Sequence, residues 1–263
     1  MTRPPEAEFA ADVADGARAM ALSYFRKPLE VDAKEDRSPV TVADREIEAF
    51  MRARIAESFP AHGVFGEEQD PERLDSPDVW VVDPIDGTKS FVTGHPLFGN
   101  LMALLREGRP FLGQIEMPAL GERWQGVSGA PTLFNGAPCR TSDCRDLSAA
   151  LAYTTDPMLF VDEDRRAYDA LFGAVRLLRF GGDCYNYGLL ASGHCDLVLE
   201  IGLQPYDYLP LVSVIEGAGG VITDWSGRAL GLNSGGDVLA SATPELHAQM
   251  LALLDGLQVQ KTA

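Results

Sequence analysis

Acidic residues at three widely separated places in the chain could together hold a divalent cation against a phosphate group. The densest segment is Trp80-Val81-Val82-Asp83-Pro84-Ile85-Asp86-Gly87-Thr88, in which an apolar run ends in two acids three residues apart. The other two segments are Gly66-Glu67-Glu68 and Pro205-Tyr206-Asp207-Tyr208. Magnesium prefers oxygen ligands in octahedral geometry and keeps several positions for water and substrate. These residue types therefore suit metal-assisted hydrolysis of a phosphate ester.

The turn after Asp83 could place two carboxylates on one cation. An apolar strand brings Asp83 to an edge, Pro84 forces the backbone to turn, and Asp86 then returns toward the same side. The carbonyl of Ile85 lies between the two acids. Gly87 lets backbone N–H groups approach a phosphate closely, and a helix beginning there would add its positive end. A strand followed by an acidic surface turn is the alternative interpretation.

The remaining acids are ambiguous when each is taken alone. Adjacent acids such as Glu67-Glu68 are more often a solvated turn than a site, and the same holds for Asp207. Asp44 stands just inside a predicted helix start, where the helix dipole favours an acid in any case. The order of these segments along the chain is what favours a shared site.

That order resembles the inositol monophosphatase family of metal-dependent, lithium-sensitive phosphatases. The resemblance extends from about Lys34 to about Trp225. Besides the three acidic segments, it rests on Ser38-Pro39-Val40-Thr41-Val42-Ala43-Asp44, Arg179-Phe180-Gly181-Gly182-Asp183 and Glu216-Gly217-Ala218-Gly219-Gly220-Val221. It implies a mixed α+β and α/β fold, a layered αβαβα sandwich of the inositol monophosphatase and fructose bisphosphatase type. It also implies a homodimer.

The resemblance further implies a set of metal ligands. Two or three Mg²⁺ ions per active site, for which Mn²⁺ could substitute, would be held by Glu67, Asp83, Ile85 (through its carbonyl), Asp86 and Asp207. Glu67 and Asp83 would serve a first ion, and Asp83, Asp86 and Asp207 a second. Lys34 and Glu35 fall where the family has a mobile loop that brings in a metal.

The catalytic residues implied by the resemblance are Glu67, Thr88 and Asp44. Thr88, paired with Asp44, would orient and deprotonate the attacking water. The amides of Gly87 and Thr88 would hold phosphate oxygens, and His95 in Gly-His-Pro is expected to be a loop residue with no catalytic role.

Two departures from the inositol-phosphatase pattern are informative about the substrate. Thr88 is followed by Lys89-Ser90-Phe91 instead of Asn-Phe, and Asp207 stands in Gln-Pro-Tyr-Asp-Tyr instead of following Trp. Both variants, with Gly113-Gln114-Ile115-Glu116-Met117-Pro118 and Glu122-Arg123-Trp124, resemble the histidinol-phosphate phosphatase branch. That branch hydrolyses L-histidinol phosphate to L-histidinol in histidine biosynthesis.

Histidinol phosphate carries an ammonium and an imidazole beyond its phosphate, so a pocket for it should offer acids. Asp183 and Glu200 are candidates, although a helix N-cap and an exposed strand end are their alternative interpretations. Arg179 could pair with one of these acids or line the pocket across a dimer. The expected substrate contacts are Ile85, Asp86, Gly87, Thr88, Arg179, Asp183 and Glu200.

Three other functions remain open from the sequence alone. An inositol-1-phosphatase or a broad sugar-phosphate phosphatase would use the same metal motifs. A regulatory binding protein could keep the fold and work through contacts, although it would not need the acidic set. A calcium-binding module is the third, but the D-x-D-x-D-G loop spacing is missing.

The composition limits the partners and the compartment. A net charge of −17 argues against nucleic acid and against an anionic membrane surface as partners. No stretch approaches about 20 apolar residues, and no apolar signal segment is evident, so a cytoplasmic protein is expected. The four cysteines contain no C-x-x-C pair and are expected to be free thiols.

The elements that must position these residues follow from apolar spacing and from turn residues. Apolar residues recur at helical spacing in 9–24, from near Thr41 to Ser58, and in 208–218. The apolar segments 98–105 and 111–116 flank polar residues and predict a β-hairpin with a longer loop.

The polar stretch 31–39 predicts a loop. The tract 129–142, rich in Gly, Pro, Thr and Asn, predicts a boundary. It would separate an N-terminal α+β part, residues 1–135, which carries the main metal motifs, from a C-terminal α/β part, residues 136–263. The second part would supply the last metal ligand and the substrate pocket.

Overall fold

The structure is a computed structural model of the chain and describes residues 3–28, 31–33, 39–162 and 164–259. Lys34 and Glu35, for which a metal-recruiting loop is predicted, lie outside the described residues. The helices within these ranges are α1 (Pro5–Tyr24), α2 (Val42–Ser58), α3 (Thr88–Val92), α4 (Arg165–Ala174), α5 (Tyr185–Ala191), α6 (Pro205–Gly217) and α7 (Pro244–Val259).

The strands of the described residues form three sheets. They are β1 (Val31–Ala33), β2 (Pro39–Thr41), β3 (Gly63–Gly66), β4 (Asp78–Asp86), β5 (Gly99–Arg106), β6 (Arg109–Met117), β7 (Glu122–Val127), β8 (Leu133–Phe134), β9 (Ala137–Pro138), β10 (Leu151–Thr154), β11 (Leu177–Phe180), β12 (Leu197–Glu200), β13 (Val221–Thr223) and β14 (Val238–Ser241).

The larger sheet has seven strands in sequence order, β3 to β9. Its first pair, β3 and β4, is parallel, and the remaining pairs are antiparallel. The other large sheet has the order β11-β10-β12-β14-β13. Its strands β10, β11 and β12 are parallel to one another, so their carboxyl ends meet at one edge.

Helices and sheets alternate in five layers. α1 and α2 pack on one face of the seven-stranded sheet. Ile47 is fully buried in the core that these helices form with the sheet. α5 and α6 lie between the two large sheets, where Leu211 belongs to a core with residues of both. α4 and α7 cover the outer face of the five-stranded sheet through residues such as Leu246. The predicted αβαβα sandwich is therefore confirmed, whereas the division at residue 135 stays a prediction.

Helix α6 lies directly against the seven-stranded sheet. A Cβ atom at Gly113 in β6 would overlap the carbonyl oxygen of Pro210, and one at Gly126 in β7 would overlap that of Ser213. The helix backbone can approach this closely because neither strand position carries a side chain. This contact sets the distance between the sheet and the first turn of α6, which carries Asp207.

Of the helices that carry site residues, α2 begins where it was predicted and α6 begins earlier. α2 begins as expected, because Thr41 is its N-cap and forms a capping box with Asp44. α6 begins at Pro205, three residues before the predicted start, with Pro at its first position. Asp207 therefore lies in the first turn of a helix and not in the loop that precedes it.

Two loop predictions were wrong. Residues 31–33 and 39–41 form a two-stranded antiparallel sheet where a loop was expected. The β5–β6 hairpin has a short turn, because Arg106 already pairs with Arg109. Glu107 and Gly108 connect them with φ values of 50° and 71°, the pattern of a type I′ turn.

Among the described residues, no helix combines the length and the hydropathy that a membrane span requires.

Candidate metal centre and active-site cavity

Three aspartates from two distant segments converge at one place. One carboxylate oxygen from each of Asp83, Asp86 and Asp207 lies within 4.8 Å of the other two. Asp83 and Asp86 come from the end of β4, and Asp207 comes from the first turn of α6. The close packing of α6 on the sheet thus brings the third acid to the first two.

The end of β4 is shaped so that Asp83 and Asp86 turn toward the same side. Pairing with β5 shifts register between these two residues, which interrupts the regular strand. The buried side-chain amide of Asn100 donates to the carbonyls of Asp83 at 3.0 Å and Pro84 at 3.2 Å. Asn100 therefore fixes this irregular part of β4 from the neighbouring strand.

Asp86 and Asp207 each use one carboxylate oxygen for a backbone contact. The N–H of Cys184 donates to Asp86 Oδ2 over 2.7 Å, and the N–H of Gln204 donates to Asp207 Oδ2 over 2.7 Å. The second contact is part of the capping box of α6. Both side chains are held in place by the protein backbone before any ligand binds.

The cluster is strongly repulsive without a cation. Burial, followed by the negative charges of Glu67, Asp86 and Asp207, raises the pKa of Asp83 well above its usual range. Burial and the Asp86 charge raise the pKa of Asp207 in the same way. Asp83 is 1% exposed, and its Oδ1 has no hydrogen-bond partner among the described residues. An orphaned oxygen in a buried set of carboxylates fits a hard divalent cation such as Mg²⁺.

Glu67 follows β3 directly and lies close enough to Asp83 for its negative charge to raise the pKa of that carboxyl. Asp44 is buried at the start of α2, and its Oδ2 accepts from the N–H and the hydroxyl of Thr41. Its Oδ1 has no partner within the described part of the chain. The Thr88 hydroxyl donates to the Ile85 carbonyl at 3.1 Å.

Helix α3, which begins at Thr88, contacts β2, whose last residue caps α2. Thr88 and Asp44 therefore lie on two helices that both contact β2. A direct pairing of these two side chains stays a prediction.

A cavity of about 360 Å³ extends from this cluster to the carboxyl edge of the five-stranded sheet. Asp86, Gly87, Thr88 and Asp207 line one part of it. Its other wall comes from residues that follow or end the parallel strands β10, β11 and β12, namely Thr155, Asp156, Gly181, Asp183 and Glu200. Ligands bind at the carboxyl ends of parallel strands in many α/β folds.

Glu200 is a buried acid within this wall. It is 2% exposed, and its Oε1 accepts from both the N–H and the hydroxyl of Thr155 at 2.8 Å. Burial raises the pKa of Glu200 to about 8, and the negative charge of Asp183 adds to this against the opposing Thr155 bonds. The alternative interpretation as an exposed strand-end acid is therefore wrong.

Asp183 faces the turn that begins α3. Its backbone has a left-handed φ of 47°, and its Oδ2 accepts from the Ser90 hydroxyl at 3.5 Å. A Cβ atom at Gly87 would lie 2.9 Å from that oxygen. Burial and the charge of Asp86 raise the pKa of Asp183 to about 7. α5 has Cys184 as its N-cap, so the N-cap interpretation of Asp183 is wrong.

Two residues named from the sequence lie away from this cavity. Arg179 is exposed on the edge strand β11 and is not part of the cavity wall. His95 is exposed in the loop after α3, as predicted.

Asp156, Tyr187 and Lys89 are among the lining residues that the sequence did not predict as substrate contacts. Asp156 follows the apolar strand β10. An acid just after a predicted strand was the sequence signal that could have identified it. Tyr187 is buried, and its hydroxyl has no hydrogen-bond partner among the described residues. Only the fold places Tyr187 at the cavity wall.

A sequence model of the inositol monophosphatase family matches residues 4–258. The chain belongs to this family. The resemblance drawn from the acidic segments is thereby confirmed, and the family is one of metal-dependent phosphatases. The acidic cluster described above agrees with that property.

Proteins similar to this chain are named for more than one phosphatase activity. The chloroplastic bifunctional phosphatase IMPL2 of Arabidopsis thaliana is 46% identical over 252 residues, which cover 92% of this chain and 73% of that protein. The histidinol-phosphatase of Chlorobaculum parvum is 36% identical over 252 residues, 95% of this chain and 96% of that protein. The structure of an inositol monophosphatase from Zymomonas mobilis superposes with a TM-score of 0.88 at 44% identity, covering 96% of this chain and 100% of that one.

Proposed function

We propose that the protein is a magnesium-dependent phosphomonoesterase that hydrolyses L-histidinol phosphate to L-histidinol and phosphate. The observation that carries the proposal is one cavity that joins the Asp83–Asp86–Asp207 cluster to an acidic wall containing Asp183 and Glu200. A phosphate at the first end would place the rest of a small substrate against the second. The histidinol-phosphatase relative supports the same substrate.

The acidic wall suits a cationic group. Burial raises the pKa of Asp183 to about 7 and that of Glu200 to about 8, and the charge of Asp86 adds to the first shift and that of Asp183 to the second. An ammonium or imidazolium group in the cavity would stabilise both carboxylates by direct attraction. Histidinol phosphate carries both groups, whereas inositol carries only hydroxyls.

The metal ligands in this proposal are the carboxylates of Glu67, Asp83, Asp86 and Asp207 with the carbonyl of Ile85. Divalent ions held there, two or three in number, would supply positive charge that polarises the ester and lowers the pKa of water. Mn²⁺ would substitute for Mg²⁺, because both ions accept the same oxygen ligands.

The chain's own groups then bind the phosphate and handle the proton. Gly87 has a φ of 78° at the start of α3, and we assign to the N–H groups of Gly87 and Thr88 the binding of phosphate oxygens. We assign to Thr88 and Asp44 the orientation of the attacking water and the acceptance of its proton. Asp44 Oδ1 is buried with no hydrogen-bond partner among the described residues and can take that role.

The test is phosphate release with magnesium, measured as kcat/KM on L-histidinol phosphate, inositol 1-phosphate and nucleotide 3′-phosphates. We expect the highest value for L-histidinol phosphate and no activity after chelation. A higher kcat/KM on inositol 1-phosphate would contradict the substrate assignment. A homodimer, a cytoplasmic location and a role for Arg179 at the pocket of a dimer remain predictions.

The second candidate is an inositol-1-phosphatase or a broad sugar-phosphate phosphatase. The likeness to the Zymomonas mobilis inositol monophosphatase favours it. The same assay decides, because this enzyme would turn over the uncharged polyol ester at least as well as the cationic one.

A further inference from the structure

We propose that Glu48 is a positioning residue that holds the turn carrying Glu67 and thereby sets the affinity of the metal centre. This inference rests on the proposed function, because it takes Glu67 as a metal ligand. Glu48 lies on α2, outside the cavity, and its side chain is fully buried.

The Glu48 carboxylate binds the two backbone amides that follow Glu67. Its Oε2 accepts from the N–H of Glu68 at 2.6 Å, and its Oε1 accepts from the N–H of Gln69 at 3.1 Å. Hydrogen bonds from amides to a carboxylate are shorter and stronger than those between neutral groups. The turn after β3 is therefore attached to α2 at both of its amides.

Arg52 completes the attachment on the same helix. Its Nε donates to Glu48 Oε1 at 2.8 Å, and a terminal nitrogen donates to the carbonyl of Gln69 at 2.9 Å. The N–H and the carbonyl of Gln69 are thus both held by one ion pair. Because Arg52 neutralises Glu48, the attachment adds no net charge beside the acidic cluster.

The chain fits closely around this carboxylate on the other side of Glu67 as well. A Cβ atom at Gly66 would overlap Glu48 Oε1. Glu48 therefore occupies the space next to the residue before Glu67 and bonds the two residues after it. These contacts restrain the backbone on both sides of Glu67, and a ligand side chain needs such precise placement to coordinate a cation.

The consequence is energetic, because Glu67 adds negative charge to an already repulsive set. Its carboxylate lies near the buried carboxylate of Asp83 at the end of β4. A loose turn would let Glu67 swing away from that repulsion when no cation is present. Residues that orient metal ligands typically change metal affinity by about 10- to 100-fold when altered.

The experiment compares Glu48→Gln with Glu116→Gln. Glu116 is a matched control because it is also fully buried and accepts from Arg18 and Arg123 at 2.6 Å. Its ion pairs tie α1 to the seven-stranded sheet, and neither arginine lines the cavity. Both variants lose a buried carboxylate, but only the first lies at the Glu67 turn.

Two readouts are measured on the full chain without substrate. Titration calorimetry with Mn²⁺ gives the affinity of the metal centre, and hydrogen–deuterium exchange of the metal-free protein reports the amides of Glu68 and Gln69. For Glu48→Gln we expect about 10- to 100-fold weaker Mn²⁺ binding and faster exchange at these amides. For Glu116→Gln we expect wild-type affinity and unchanged exchange there.

Unchanged Mn²⁺ affinity in Glu48→Gln, or an equal loss in Glu116→Gln, would overturn the positioning role. If Glu48→Gln does not fold, Glu48→Asp decides by the same criteria, because it keeps the charge and the Arg52 pair but is too short to hold both amides. A wild-type protein that binds no Mn²⁺ would instead contradict the proposed function itself.

Discussion

The backbone N–H of Cys184 donates to Asp86 Oδ2 over 2.7 Å, so the segment before α5 fixes a carboxylate at the end of β4. The Cys184 side chain is buried against Gly99, where a Cβ atom would overlap its Sγ. Gly99 pairs with Asp86 in the sheet. The orientation of Asp86 thus depends on a residue without a side chain on the adjacent strand.

Gly99→Ala should therefore disturb both the fold and the metal centre. The added methyl group forces Cys184 away from Asp86, and overpacking of this kind costs about 1–3 kcal/mol of unfolding free energy. Urea unfolding measures the loss, and Mn²⁺ titration should show weaker binding. Gly173→Ala in α4 is the control, because no atom lies within 4 Å of its added Cβ and Ala favours a helix. Equal effects in both variants would contradict this dependence.

Asp207→Asn should change metal-free and metal-loaded stability in opposite directions. The substitution removes one charge from a cluster in which burial and repulsion by Asp86 raise the Asp207 pKa, while the amide oxygen can still accept from Gln204. We expect a higher Tm without metal, by about 2–4 °C per kcal/mol of relieved repulsion. The rise in Tm that saturating Mg²⁺ gives the wild type should be largely lost. Calorimetric scans with and without Mg²⁺ test this, and a lower metal-free Tm would count against a repulsive cluster.

Glu200→Gln should separate substrate recognition from phosphate chemistry. Gln keeps an acceptor for Thr155 but removes the charge that would face the cationic part of the substrate. A hydrogen bond to a charged group contributes about 1.5–3 kcal/mol, so kcat/KM on L-histidinol phosphate should fall about 10- to 100-fold. Activity on p-nitrophenyl phosphate, which has no cationic group, should change little. An equal fall on both esters would indicate a structural role for Glu200.

His247 should make stability depend on pH in the acid range. It is 4% exposed, its Nε2 lies 2.9 Å from the Thr223 hydroxyl and its Nδ1 lies 3.1 Å from that of Ser241. Burial lowers the pKa of His247 from 6.5 to about 4, so between these values the unfolded chain binds a proton that the folded protein does not.

The contribution of His247 to the free energy of unfolding is therefore fully present above pH 6.5 and is lost as the pH falls toward about 4. The loss is at most about 1.4 kcal/mol per pH unit. Urea unfolding across this range should show a steeper loss for the wild type than for His247→Gln. Parallel curves would contradict a neutral buried imidazole.

The local part of the site could be predicted from the sequence. The apolar run, the proline and the two acids three residues apart predicted that Asp83 and Asp86 share one side, although β4 continues through Asp86 with a shift in register where a turn was expected. Asp207 could not be placed by such reasoning, because its neighbours in the cluster lie in another part of the chain. Its assignment came from the family resemblance, and the same was true of Glu67.

The residues that hold the site in place had no sequence signature. Glu48 and Asn100 bind backbone groups, and any segment of chain offers the same N–H and carbonyl groups. The hairpin turn was misjudged because Glu107 adopts a left-handed conformation that Asn, Asp or Gly usually supplies. The burial of Glu200 could not be predicted either, because an acid at the end of a strand has the same local sequence pattern whether or not a second layer covers it.

The contact of α6 with β6 and β7 has a consequence for where damaging substitutions will be found. Any side chain at Gly113 or Gly126 would lift the helix off the strands and carry Asp207 away from Asp83, although neither glycine lines the cavity. Substitutions that abolish function should therefore include changes at Gly113 and Gly126. A natural variant with a different residue at either position should bind metal poorly even when every acidic side chain is present.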